Sequence, residues 1–340
     1  MKPRLSEKLT ALRANSNCGH FILADAKDAD MAWGVTSPGQ TYSSESSARQ
    51  RSMADFRDQI REIVRQGAVD IMLASVGTMS ILAHQERLFD GCDVTPAIRA
   101  NDATDIWLPR GGTYRSSPSL PFRTCYLREA QHGGLESPAQ IAPVVNLGLY
   151  SVTFNNHLES DLASLDAFRE FRADAEEHGF RYFLEVFAPN IDGAVPEQEV
   201  PSFVNDHICR MLAGVPVKAR PEFLKIPFFG PAALEELVNY DPGMIVGVLG
   251  GSSGTSFDAF TLLAEAKKHG ARVALFGRKI KDAEHPLSFV ALLRRVADGE
   301  VGAEEAVRAY HGELQRHAIR PRRELSDDLK LTATELSYAR

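Results

Sequence analysis

A lysine held between two aliphatic residues carries the strongest chemical suggestion in this 340-residue chain. Lys225 lies in Phe223-Leu224-Lys225-Ile226-Pro227, an apolar run of the kind that forms a buried strand. Side chains alternate along a strand, so an inward Lys225 sends Leu224 and Ile226 away from the axis. Desolvation disfavours an ammonium and yields the neutral amine that can attack a carbonyl. The plainer alternative is a core lysine paired with a carboxylate, although fully buried lysines are uncommon. Two further runs follow, Gly247-Val248-Leu249-Gly250-Gly251-Ser252-Ser253-Gly254 and Val273-Ala274-Leu275-Phe276-Gly277-Arg278. Lys225 and Gly250 are 25 positions apart, and Gly250 and Gly277 are 27 apart. Both steps are close to the roughly 30 residues of a strand–helix–strand unit.

The second run opens into a glycine–serine loop before a helix, where exposed N–H groups suit phosphate oxygens. The third ends in Gly277-Arg278, and an arginine can make a bidentate contact with phosphate. Alone, the first feature is an ordinary turn and the second a solvated arginine. Together, after the last two strands of a barrel, they form a recurrent phosphate site. Gly250, Gly251, Ser252, Gly277 and Arg278 are therefore the expected phosphate ligands. Two acids complete the set. Glu185, between Leu184 and Val186, should face inward beside the amine and serve general acid–base chemistry. Asp25 ends the first apolar run and could pair with the amine or move a proton, and Lys27 shares its face. A structural ion pair across the barrel is the competing explanation for both acids.

These residues need elements to position them. Apolar runs at 20–25, 68–73, 94–100, 149–154, 181–187, 223–226, 247–250 and 272–276 read as eight strands. Helical patterns are expected at 5–14, 47–67, 80–88, 162–178, 201–212, 231–238, 256–269, 286–297 and 303–317, with a short helix after residue 137 and a polar loop after the first strand. Strands alternating with helices give either a barrel or a doubly wound sheet. Functional groups on or after strands 1, 5, 6, 7 and 8 suit a closed (β/α)8 TIM barrel better than a single switch point. Residues 1–317 are expected to form that one domain and 318–340 a C-terminal tail. The stretch 101–137 is rich in Gly, Ser, Pro and Arg and far longer than a usual βα loop, as an active-site flap or insertion would be.

With these motifs in view, the chain resembles the class I (Schiff-base) aldolases of the archaeal-type fructose-bisphosphate and tagatose-bisphosphate group. The likeness rests on residues 223–226, the Gly-Gly-Ser-Ser-Gly loop with its helix, and Phe276-Gly277-Arg278. It covers residues 25–312 in element order and is specific from about residue 149. The resemblance implies that Lys225 forms the Schiff base, that Asp25 matches the acid ending the family's first strand, and that Glu185 matches a proton-transfer glutamate. This chain departs from the family on the fourth strand, where Ser151-Val152-Thr153-Phe154-Asn155-Asn156 stands in place of the usual tyrosine or lysine. A divergent aldolase is expected, with Lys27 and Asn155 as further substrate contacts.

Composition narrows the competing classes. A net charge of −7 argues against a general nucleic-acid or anionic-membrane binder. No apolar run approaches the roughly 20 residues of a membrane span, and the first residues lack a signal-peptide core. Cys18, Cys92, Cys125 and Cys209 are far apart, as free thiols of a cytoplasmic protein would be. His132, His157, His178 and His207 lack zinc-site spacing, so neither metal nor cofactor is expected. The expected partner is a small phosphorylated sugar or keto compound bound by a homo-oligomer. Competing functions are a phosphosugar isomerase or thiolase-like acyl-transfer enzyme on the same barrel, and a silent barrel that only binds a sugar phosphate.

Overall fold

Eight short runs rich in aliphatic residues form the strands: Ile22–Lys27 (β1), Ile71–Ala74 (β2), Thr95–Arg99 (β3), Leu147–Thr153 (β4), Arg181–Phe187 (β5), Leu224–Ile226 (β6), Val246–Leu249 (β7) and Val273–Phe276 (β8). Each pairs in parallel with the next, and β8 returns to β1 to close the (β/α)8 barrel that the sequence predicts. The computed structural model describes residues 1–40, 49–102, 108–114, 116–135, 142–251 and 254–339.

Strand alternation divides the core into two layers. Ile22, Ala24, Ile71, Leu73, Ala97, Leu149, Phe183, Phe223, Val273 and Leu275 form an inner cluster. Leu23, Met72, Ile98, Val152, Leu184, Leu224, Val248 and Phe276 belong to the layer shared with the helices. The helix Pro3–Ala14 joins the inner cluster through Leu5, Leu9 and Leu12. Its Lys8 and Arg4, together with Arg294, surround the buried Asp70 carboxylate at 2.8, 3.1 and 3.3 Å. These contacts hold the helix against the N-terminal end of the barrel. The chemistry is left to the C-terminal end, where the βα loops gather.

Local signals place the outer helices. Ser52 and Asp55 form a reciprocal capping box at the start of Met53–Gln66, and Gly67 ends that helix with φ 73°. Several expectations need correction. The segment after β1 holds the short helix Ala29–Trp33 where a polar loop was expected. Helix 80–88 begins earlier, as Val76–Met79, and continues through a π-helical turn, Ser80–Gln85. Leu127–His132 forms a short helix inside the 101–137 stretch, while most of the segment after residue 137, where a short helix was expected, lies outside the described residues. That stretch is tied to the barrel by the Asn190 amide, which donates to the carbonyls of Tyr114 and Ser117 at 2.6 and 2.9 Å.

The chain after residue 317 is docked onto the barrel. Asp258 accepts from the Thr332 N–H at 2.7 Å, the Thr332 hydroxyl at 2.5 Å and the Ala333 N–H at 3.1 Å. Asp328 accepts from the Ser256 N–H at 2.7 Å. Thr255 donates its hydroxyl to the Lys330 carbonyl at 2.7 Å. The tail therefore straps the start of the helix Ser256–Lys268.

Candidate active site

The parallel register places Ser151 beside Glu185 and Glu185 beside Lys225, on three adjacent strands. All three share the phase of the inner cluster, because Leu149 and Phe183 lie two positions earlier on β4 and β5, and Phe223 two positions earlier, just before β6. Lys225 Nζ lies 2.5 Å from Glu185 Oε1. The other oxygen, Oε2, accepts from the Ser151 hydroxyl at 2.7 Å. Arg99, at the end of β3, donates through Nη2 toward Ser151 Oγ at 3.4 Å and through Nη1 to Asp28 at 2.9 Å. A line of polar contacts thus crosses the barrel mouth from Asp28 to Lys225. Four of its five side chains, all but Ser151, open onto one pocket of about 470 Å³.

Sequence reasoning missed Asp28, Arg99 and the role of Ser151 in this line. The signals were an arginine and a serine at the C-terminal ends of buried strands, in the phase of inward neighbours.

Asp25 and Lys27 do share a face, but it is the outer one. Asp25 pairs in register with Met72 and Phe276, both in the helix-facing layer, while Ala24 and Ala26 turn toward the inner cluster. The expectation that Asp25 meets the Lys225 amine is therefore corrected. Asp25 and Lys27 are both fully buried and hold each other at 3.0 Å. Burial raises the Asp25 carboxyl to about 6, opposed by the Lys27 charge, and lowers the Lys27 ammonium, opposed by Asp25. Asn155 likewise does not line the pocket. Its amide joins the loops after β4 and β5, donating to Asn190 at 2.8 Å and accepting from the Asn190 and Ile191 N–H groups at 3.0 and 3.2 Å.

The expected anion loops follow the next two strands, β7 and β8, and reach the same pocket. Gly250, Gly251, Gly277 and Arg278 all line it, whereas Ser252 lies outside the described residues. Close approach requires glycine at two of these positions. A Cβ on Gly250 would stand 2.5 Å from the Phe276 ring, and one on Gly277 would stand 2.7 Å from the Ala26 carbonyl. Arg278 is exposed and donates to the Gly251 carbonyl at 3.4 Å.

The N-terminus of Ser256–Lys268, expected to offer N–H groups to phosphate, already has partners. The Thr255 and Ser256 N–H groups donate to the Asp258 and Asp328 carboxylates at 2.8 and 2.7 Å. Two unpredicted lysines add positive charge to the pocket instead. Lys279 donates to the Gly254 carbonyl, and Lys281 donates to the Ser37 carbonyl at 3.0 Å. Burial lowers the Lys279 ammonium to about 8, against the pull of Asp328. Burial lowers Lys281 as well, against the pull of Asp282. The lining thus carries Arg99, Lys225, Arg278, Lys279 and Lys281 against Asp28 and Glu185, an excess of cations suited to an anionic ligand.

Among the described residues, no group of three or more His, Cys, Asp and Glu side chains is arranged to hold a metal ion, and no helix is long and apolar enough to cross a membrane.

The barrel is similar to the crystal structure of an archaeal fructose 1,6-bisphosphate aldolase, with a TM-score of 0.60 and 16% identity over 87% of this chain and 99% of that one. It is equally similar to an archaeal fructose-1,6-bisphosphate aldolase whose catalytic lysine is covalently bound to the carbinolamine intermediate of the substrate. There the TM-score is 0.60 at 16% identity, over 87% of this chain and 100% of that one. Cgl0159 from Corynebacterium glutamicum matches with a TM-score of 0.56 and 14% identity, over 88% and 99% of the two chains. At these identities the likeness is one of fold. No family model matches the sequence, and no curated protein does.

Proposed function

We propose that this chain is a Schiff-base carbon–carbon lyase of the class I aldolase type, acting on a phosphorylated ketose or related keto compound. The carrying observation is that the Lys225 amine and the Glu185 carboxylate, 2.5 Å apart, open onto a pocket that Arg278, Lys279 and Lys281 also line. Glu185 takes a proton from Lys225, and the free amine adds to the substrate carbonyl. One amine proton moves to the carbonyl oxygen, Glu185 adds its proton to the same oxygen, and water leaves with an iminium remaining. That iminium accepts the electron pair released when the neighbouring C–C bond breaks. Arg278 and the N–H groups of Gly251 and Gly277 hold the phosphate, and this remote binding orients the reacting bond. Trp33, Tyr114 and Phe187 line the same pocket and help exclude water.

Borohydride reduction in the presence of a panel of phosphorylated ketoses, read by intact mass, tests this reading. The expected result is one adduct per chain, mapped to Lys225. An adduct on Lys27, Lys218 or Lys279 overturns the assigned mechanism. A protein that is never labelled is an inert binder or runs a different reaction.

A further inference from the structure

Glu185 has two carboxylate oxygens, and the pocket treats them differently. Oε1 faces Lys225, while Oε2 faces the Ser151 hydroxyl. A serine hydroxyl has one hydrogen to give, and its direction can be deduced. Arg99 can only donate, so Ser151 Oγ accepts from Arg99 and sends its own hydrogen to Glu185 Oε2. Arg99 is itself oriented by Asp28 at 2.9 Å and by the Asn101 carbonyl at 3.0 Å. The Ser151 backbone is also fixed: its N–H donates to the Asn101 side chain at 2.7 Å, and its carbonyl accepts from the same side chain at 2.9 Å. Neither the hydroxyl nor its hydrogen is left free to turn.

We propose that Ser151 is a positioning residue that closes one oxygen of Glu185 to protonation, so that Oε1 alone shuttles the proton of Lys225. The proposal rests on the Schiff-base reading and deepens it. In imine formation, Lys225 passes one proton to Oε1 and its nitrogen bonds to the substrate carbon. A second amine proton moves to the substrate oxygen. Oε1 then returns its proton, the C–O bond breaks and water leaves, with the carboxylate restored. A proton placed on Oε2 would sit on the side away from the amine and could not be returned to the leaving oxygen. The Ser151 hydrogen already fills that position.

The test compares wild type, Ser151→Ala, Ser151→Thr, Glu185→Gln and the double variant Ser151→Ala/Glu185→Gln. Single-turnover adduct formation and steady-state rates are followed with the phosphoketose that labels wild type. Ser151→Ala is expected to slow adduct formation and kcat about tenfold, the effect of losing one hydrogen bond to a charged group, with KM near that of wild type. Ser151→Thr, which keeps the hydroxyl, should recover most of the rate. In the Glu185→Gln background, Ser151→Ala should cost little more. An equal loss in both backgrounds, or a Thr variant no faster than the Ala variant, overturns the proposal and leaves the Schiff-base reading in place. A wild-type protein that is never labelled overturns both.

Discussion

Two lysines in this barrel are each held by a carboxylate on or beside a strand, yet their surroundings differ in one decisive respect. Lys27 and Asp25 lie 3.0 Å apart, fully buried between barrel and helices. Lys225 and Glu185 lie 2.5 Å apart at the barrel mouth, where Lys225 is 7% exposed and both face the pocket. Burial and pairing are common to the two pairs. Access is not. A buried lysine becomes a candidate nucleophile only where a reactant can reach it, and side-chain phase on the strand decides this. The outer pair can be read as a fold-specifying contact whose desolvation nearly offsets its attraction.

Substituting the two lysines should separate these cases most sharply. Lys225→Met is expected to abolish borohydride-trapped adduct and turnover while the protein stays folded by circular dichroism. Lys27→Met should still be labelled at Lys225. Asp25→Asn is expected to lower unfolding stability by about 3–5 kcal/mol, because it strands the Lys27 ammonium in the core. The paired change Asp25→Leu/Lys27→Met should recover much of that loss in a denaturant titration. If Asp25→Asn instead removes turnover without loss of stability, the comparison fails and Asp25 returns to the mechanism.

Glu185→Gln comes next, with kcat expected to fall roughly 10²-fold, the range for a lost acid–base group, measured at saturating substrate. Near-normal turnover would mean that the inner carboxylate is as inert as the outer one. Arg278→Ala should raise KM for a phosphorylated substrate about tenfold and change it little for the dephosphorylated analogue. Equal effects on both substrates would remove the phosphate from this wall.

The smallest effect concerns pH. The Lys279 ammonium sits at about 8, so it is charged below that pH and neutral above it. The cationic wall weakens as pH rises through 8, and KM for the phosphorylated substrate should rise roughly two- to fivefold between pH ~7 and pH ~9. Lys279→Arg, which stays charged, should flatten that rise.

The comparison also shows what the sequence carries. Period-two alternation correctly groups Asp25 with Lys27 and sets Glu185 and Lys225 apart from their apolar neighbours. It does not say which group faces the axis. On β5 and β6 the alternate residues Leu184, Val186, Leu224 and Ile226 are large and fill the space under the helices. On β1 the residues alternating with Asp25 and Lys27 are Ala24 and Ala26, small enough for the crowded interior, and this fixes the opposite phase. Register between strands has no one-chain signal, which is why the Ser151–Glu185–Lys225 row emerges only when the barrel closes. That Gly250, Gly251, Gly277 and Arg278 reach one pocket was legible because glycine and arginine at strand ends are distinctive. The carboxylates that occupy the helix start at Ser256 were not, since Asp328 arrives from 72 positions away.

That distance has a consequence during synthesis. When all eight strands have left the ribosome, Asp328 and Thr332 have still to follow, and the N–H group at Ser256 lacks its later carboxylate partner. At the usual 5–20 residues per second, the 52 positions from the end of β8 at Phe276 to Asp328 take on the order of 3 to 10 seconds. For that interval the nascent barrel presents a helix start with part of its positive end uncovered beside Gly254 and Lys279.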